Sequence, residues 1–272
     1  MCGMNLAKPY RIKPGARVAL KKFKTDDDGG LTKKQAMARF KKLRRRLIDL
    51  QELMYAEGKH ALLVVFQGMD CGGKDSTIRT VFRGVNPQGC KVASFKAPNS
   101  VELRHDFLWR IHQNLPRRGY IGIFNRSHYE EVLIVRVDKL EPEKRWKAHY
   151  EQIAAFEKML NDEGTTVIKF FLHISKGCQK KRLQSRLDDP AKHWKFDPAD
   201  LTERKKWDLY QEAYERVFER CSSEEAPWYV IPAERRWYRN LLVVSALVDR
   251  LESLAMKYPQ ADFDPKTIVI PD

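Results

Sequence analysis

The stretch ALLVVFQGMDCGGKDSTIRT, residues 61–80, constrains this chain more than any other. An apolar, β-branched run over residues 62–66 reads as a buried strand, and it breaks at once into a loop holding Gly68, Gly72 and Gly73. Residues 74–83 then read as a helix. The spacing from Gly68 to Lys74 fits the first seven positions of G-x-x-x-x-G-K, in the strand, loop, helix context that pattern requires. Glycines let backbone N–H groups curl around an anion, the helix start adds the positive end of its dipole, and Lys74 supplies a full charge. The predicted ligand is a phosphate chain, held by Gly68, Gly72, Gly73, Lys74, Asp75 and Ser76. A plain Gly-rich turn between a core strand and a core helix would need neither the spacing nor the lysine.

The eighth position of the pattern, normally a Ser or Thr that touches Mg²⁺, is Asp75, with Ser76 and Thr77 one and two residues late. Asp70 is a carboxylate inside an anion cradle. It repels the ligand unless a metal bridges the two, which favours a Mg²⁺ site, with Mn²⁺ as the other ion.

Charge supports a polyanionic partner. The 272 residues carry 51 Lys and Arg against 36 Asp and Glu, a net +15, although charge alone does not separate nucleic acid from phosphate polymer or anionic membrane. Cys2, Cys71, Cys90, Cys178 and Cys221 are odd in number and form no C-x-x-C pair, so neither a disulfide framework nor a zinc site is expected. The start, MCGMNLAKPYRIKPG, has no apolar signal core, and the apolar run over residues 241–248 is too short to span a bilayer. A soluble protein of the reducing cytoplasm is expected, folded as one large α/β domain rather than two small ones.

Residues 1–30 read as an extended arm over the body, without visible chemistry. Over residues 31–58, Met37, Phe40, Leu43, Leu47, Leu50 and Met54 recur at helical steps and predict one long amphipathic helix. Its other face holds Lys41, Lys42, Arg44, Arg45 and Arg46, a solvated face or a polyanion track. Residues 91–95 form a strand, and Ser100 is a candidate N-cap for a helix over residues 101–114 that turns Leu103, Phe107, Leu108 and Ile111 inward. Lys96, Arg104 and Arg110 could bring cations from this segment to a phosphate site.

A strand over residues 120–124 ends in NRSHYEEV, and open α/β sheets place their ligands at such strand ends. Asn125, Arg126, Glu130 and Glu131 are the candidates. The first polar residue is uncharged, so a metal ligand must be Asp70, Glu130 or Glu131; His128 and Tyr129 read as packing residues. A helix over 143–162, an almost wholly apolar strand over 166–173, and a basic helix over 177–187 follow. Lys180, Lys181, Arg182 and Arg186 on that helix either face solvent or close over the phosphates as arginine fingers do. One helix is expected over 198–220, then a strand over 228–231 and a last helix over 234–257. Alternating strands and helices predict a doubly wound, mostly parallel sheet of about five strands.

Taken together, GMDCGGKDST, SFKAPN, HDFLWRIHQ, IFNRSHYEEVLIVRV, RLDDPAKHWKF and APWYVIPAERRWYRN resemble the second family of polyphosphate kinases, in collinear order over nearly the whole chain. The likeness is to the class of AMP/ADP–polyphosphate phosphotransferases. It implies a P-loop kinase-like three-layer fold in a single domain, residues 1–272, with a helical lid at about residues 176–206. It also implies transfer of phosphate from inorganic polyphosphate to ADP and AMP with Mg²⁺, by a homo-oligomer that binds AMP, ADP and ATP but no specific nucleic acid and no membrane.

By that resemblance Asp70 and Lys74 match the Walker A acid and lysine, Asn125 and Arg126 match the Walker B position, and Arg182 and Arg186 match basic lid residues. Asp70, Lys74, Arg126, Arg182 and Arg186 form the expected catalytic set. Lys96, Arg104, Asn125 and Glu130 are expected at the nucleotide, and Asp70 and Glu131 at the metal. Asn125 replaces the Asp of other classes, which resembles the class acting on AMP as well as ADP. Cys71 replaces a small Ala, and Glu131 a usual Asp. The rival expectations are an ATP-dependent nucleotide kinase of the same fold and a non-catalytic, basic nucleic-acid-binding protein.

Overall fold

The computed structural model describes residues 5–271. Strands β1 (Ala61–Gln67), β2 (Cys90–Ser94), β3 (Ile121–Asn125), β4 (Thr165–His173) and β5 (Trp228–Pro232) form one sheet in the order β2-β3-β1-β4-β5, with every pair parallel. Every residue of central β1 is buried, as its unbroken apolar run requires when both sheet faces are covered. Helices α1 (Lys33–Glu57) and α2 (Lys74–Val81) are followed by two short ones, α3 (Trp109–His112) and α4 (Ile134–Val137). Then come α5 (Glu143–Asp162), α6 (Lys176–Leu187), α7 (Ala199–Lys205), α8 (Trp207–Cys221) and α9 (Arg236–Glu252). One layer packs α1 and α2 on α9; the other packs α4, α5 and α8 together. β1 runs to β2 on one side while β4 lies on the other, so the crevice for a ligand opens at the carboxyl end of β1.

Local signals set the limits of α1. Thr32 and Gln35 close a capping box, and Gly58 ends the helix in the left-handed region at φ 67°. Two expected helices are interrupted. In place of one helix over 101–114 the chain makes a 3₁₀ turn, Glu102–Arg104, and then α3. Asn99, not Ser100, caps the first piece by accepting the N–H groups of Val101 and Glu102, and Asp106 restarts the chain by accepting that of Leu108. Leu103 is consequently 69 % exposed rather than inward. The helix expected over 198–220 breaks at Lys206, whose ammonium is drawn to Asp138 and Glu203, and this leaves Leu201 and Leu209 exposed.

The arm, from residue 5 onward, is docked. Ile12 N–H donates to Trp228 O at 2.9 Å, Arg11 bridges Tyr229 antiparallel, and Leu6 N–H donates to Ser245 Oγ at 2.9 Å. Ala7, Ile12 and Leu20 are buried.

At the end of β4, His173, 5 % exposed, bonds through Nε2 to Leu20 O of this arm at 3.2 Å. Burial pulls its pKa from 6.5 down to about 4. Between those values the unfolded chain holds a proton the folded chain refuses, so stability is full above pH 6.5 and falls as pH drops towards 4, by about 3 kcal/mol in all. Urea unfolding of His173→Gln at pH 7 and pH 4.5 should show a smaller loss than the wild-type protein; equal losses would acquit His173.

Candidate active site

β1 delivers the phosphate loop at the crevice. Gly68 has φ +151°, and a Cβ there would come within 2.9 Å of Leu172 O, so only glycine lets the loop leave the sheet against β4. Gly72 N–H bonds Met69 O at 2.9 Å, closing the turn, and Cys71 sits in the left-handed region at φ 62°. Lys74 opens α2 and folds back so that Nζ donates to Gly68 O at 2.9 Å. Burial, then the charge of Arg126, draws the Lys74 ammonium below its usual pKa against the pull of Asp70, Glu130 and Asp75. Ser76 and Thr77 turn their hydroxyls onto Gly73 O, both at 2.9 Å.

The end of β3 meets this loop. Asn125 Nδ2 donates to Asp75 Oδ1 at 2.5 Å, and Arg126 Nη2 to Asp70 Oδ1 at 2.8 Å. Arg126 has φ 62°, a left-handed conformation that costs about 1–2 kcal/mol outside glycine and collects at functional sites. Burial opposes the Arg126 charge, but Glu130 and Asp70 outweigh it and hold its pKa above the usual value. Gln67 Nε2 fixes Glu130 by donating to Oε1 at 3.1 Å.

The helices after β4 cover the loop. Arg182 on α6 donates through Nη1 to Cys71 O and Gly72 O, at 2.7 and 3.2 Å, and through Nη2 to Ala233 O at 2.8 Å, so it ties the loop to the segment after β5. Gln179 Nε2 reaches Asp70 O at 3.0 Å. Arg186 contacts Lys195 O at 2.7 Å and Asp200 of α7 at 3.3 Å. Burial, then the nearby charge of Asp70, raises the Asp200 carboxyl to about 6.

Most expected residues therefore converge: Gly68, Asp70, Gly72, Gly73, Lys74, Asp75, Ser76, Asn125, Arg126, Glu130, Arg182 and Arg186 share one crevice. Three do not. Glu131 faces Arg110, at 4.0 Å, and burial followed by the opposing pull of Arg110 leaves its pKa raised. Glu130, one residue earlier on the 3₁₀ turn, is the carboxylate of the pair whose charge acts on Lys74 and Arg126. Arg104 is exposed on the turn before α3. Lys96 lines a cavity of about 260 Å³ with Phe95, Glu102, Arg110 and Asn114 at the end of β2, where Phe95 N–H donates to Asn125 O at 3.0 Å. Gln67, Gln179 and Asp200 also belong to this site, and the sequence does not announce them, because a lone polar residue in a strand or helix carries no spacing signal.

Among the described residues no three His, Cys, Asp or Glu side chains cluster as a metal cage. Asp70 and Glu130 nevertheless fit a magnesium ion, which typically takes one or two carboxylates and fills its remaining positions with water and substrate phosphates.

The family profile of polyphosphate kinase 2 matches residues 30–259. The chain belongs to the polyphosphate kinase 2 family. The chain is 56 % identical to the AMP/ADP-polyphosphate phosphotransferase of Meiothermus ruber over 267 residues, 97 % of this chain and 99 % of that one. It is 46 % identical to the ADP-polyphosphate phosphotransferase of Rhodopseudomonas palustris, covering 93 % and 92 % of the two chains. The crystal structure of polyphosphate kinase 2 from Arthrobacter aurescens TC1 superposes with a TM-score of 0.91 at 41 % identity, covering 96 % and 93 %. The three-layer fold read from the sequence accords with that likeness.

Proposed function

We propose that this protein moves the terminal phosphate of inorganic polyphosphate to ADP and AMP, giving ATP and ADP. The observation that carries the reading is the convergence of Lys74, Arg126, Asp70 and Glu130 on one Gly-rich loop, in a chain 56 % identical to a phosphotransferase named for that reaction. A nucleotide phosphate oxygen is already anionic near pH 7, so the chemistry needs little base catalysis. It needs two polyanions brought in line and their charge neutralised. The loop N–H groups and Lys74 hold phosphates at the transfer point. Arg126 lies at the same point, while Arg182 keeps the loop in shape and Arg186 reaches the crevice from the lid, residues 176–206. Asp70 and Glu130 would hold Mg²⁺, which when bound supplies charge neutralisation to the phosphate oxygens. Asn125, held on Asp75, supports the wider choice of acceptor, and a net charge of +15 suits a long donor better than a single ATP.

We also take the protein to act as a homo-oligomer in a reducing cytoplasm; the four cysteines among the described residues are free thiols. Light scattering on the purified protein reads the first.

Incubation with polyphosphate, Mg²⁺ and either ADP or AMP in ATP-free buffer, followed by chromatography, should yield ATP from ADP, and ADP then ATP from AMP. Transfer from added ATP alone would replace the reading with an ATP-dependent kinase. Excess chelator is expected to abolish transfer and leave the thermal midpoint unchanged, since two carboxylates in a braced crevice hold the ion without the fold depending on it. A collapse of the midpoint would make the metal structural.

A further inference from the structure

Arg239 stands in the first turns of α9 and is 1 % exposed. Its guanidinium lies behind the phosphate loop. Nη2 donates to Ser76 Oγ at 3.2 Å, and Nε and Nη2 donate to the side-chain oxygen of Asn240 at 3.1 and 3.0 Å. The remaining nitrogen, Nη1, is buried with no partner among the described residues. It points at Gly73: a Cβ built there would stand 2.3 Å from Nη1. Gly73 is the N-cap of the eight-residue α2, in the left-handed region at φ 102°, so the guanidinium sits against the backbone corner from which the first free N–H groups of that helix arise.

The charges around Arg239 have the wrong sign for a structural ion pair. Burial, then the neighbouring charges of Arg182 and Arg236, lowers its pKa to about 9, and among the described residues no carboxylate takes part. A buried charge is ordinarily paired, and one left without its partner is among the costlier features a fold can carry. Here an unpaired cation is kept beside further cations, at the place where loop, helix end and Lys74 all favour an anion.

We propose that Arg239 is a positioning residue for the donor phosphates: a fixed positive charge on the inner side of the loop, which holds Ser76 and Gly73 in the anion-accepting form and finds its counter-charge only in the bound phosphate chain. The proposal depends on residues 68–76 being a phosphate-chain site. Arg239 touches the loop rather than the reacting atoms, so its effect falls on donor binding more than on turnover.

Thermal melts of Arg239→Gln and Arg239→Lys, with and without inorganic tripolyphosphate, and steady-state kinetics with ADP test this. Arg239→Gln removes an uncompensated charge. Its ligand-free midpoint should equal or exceed that of the wild-type protein, its tripolyphosphate-induced rise should shrink, and its KM for polyphosphate should increase about tenfold at nearly constant kcat, the worth of one charged contact. Arg239→Lys should recover most of the rise. A lowered ligand-free midpoint with the induced rise and KM intact would make Arg239 merely structural and overturn the proposal. If Arg239→Gln does not fold, Arg239→Met takes its place. Failure of both would also overturn it, because a charge kept for the ligand is dispensable without ligand. No induced rise in the wild-type protein, matched by no loss in Lys74→Ala, would overturn the assignment of the loop itself and this proposal with it; a wild-type rise that Arg239→Gln shares overturns the proposal alone.

Discussion

Lys74→Ala is expected to lower kcat for ATP formation from ADP and polyphosphate by about 10²–10³, the usual loss when one preorganised electrostatic contact to the transition state is removed. Lys74 is the one ammonium on the loop itself, and its bond to Gly68 O holds it over the place where the chain curls. The fold should survive. Burial and Arg126 already work against the Lys74 charge, so removing it relieves as much as it costs, and the thermal midpoint is expected within a few degrees of wild type. Wild-type turnover in Lys74→Ala would remove the loop from the mechanism.

Lys169→Met is expected to be the most destabilising single change in the sheet. Lys169 is wholly buried in β4, where its ammonium bonds Glu157, Tyr129 Oη at 3.0 Å and Cys221 O at 2.7 Å. Glu157 also accepts from Tyr129 Oη at 2.8 Å and bonds His128 Nε2 at 3.2 Å. The cluster pins β4, α5 and α8 to the turn that carries Glu130. Cutting away the ammonium leaves a buried carboxylate without its cation, a loss of about 3–5 kcal/mol that should lower the melting temperature by roughly 6–15 °C in a chain of this size. Lys169→Met combined with Glu157→Gln should lose clearly less than the sum of the two single changes. A melting temperature within about 2 °C of wild type in the single variant would show that the cluster carries little stability.

The same cluster marks a boundary of what could be read from the chain. Spacing announced the phosphate loop, because a strand, three glycines and a lysine at fixed intervals have few other uses. β1, β4 and β5 were legible for a similar reason: covered on both faces, they are largely apolar runs, whereas edge strand β2 is mostly exposed. Lys169 stands inside one of those runs, and nothing nearby in the sequence names its partners, which lie on other elements. The break at Lys206 was equally silent. No Gly or Pro marks it, and the helix stops where two carboxylates capture the lysine. Between Glu130 and Glu131, adjacent and alike, only the phase of a 3₁₀ turn decides which faces Lys74. Arg239 lay in plain view within a recognised motif, yet its lack of a counter-ion is a property of the assembled site alone.

The docked arm bears on how the molecule is made. Asn5 bonds Asp249, and Leu6 bonds Ser245, across separations of 244 and 239 residues, while Ile12 waits for Trp228. Residues 5 and 6 thus have no partner until α9 has emerged from the ribosome. Closures over such separations are slow, so the arm should be the last part to gain protection from hydrogen exchange, after the sheet has already formed. A ribosome-bound chain stopped before residue 228 would carry the phosphate loop on its strand but leave residues 5–10 open to protease.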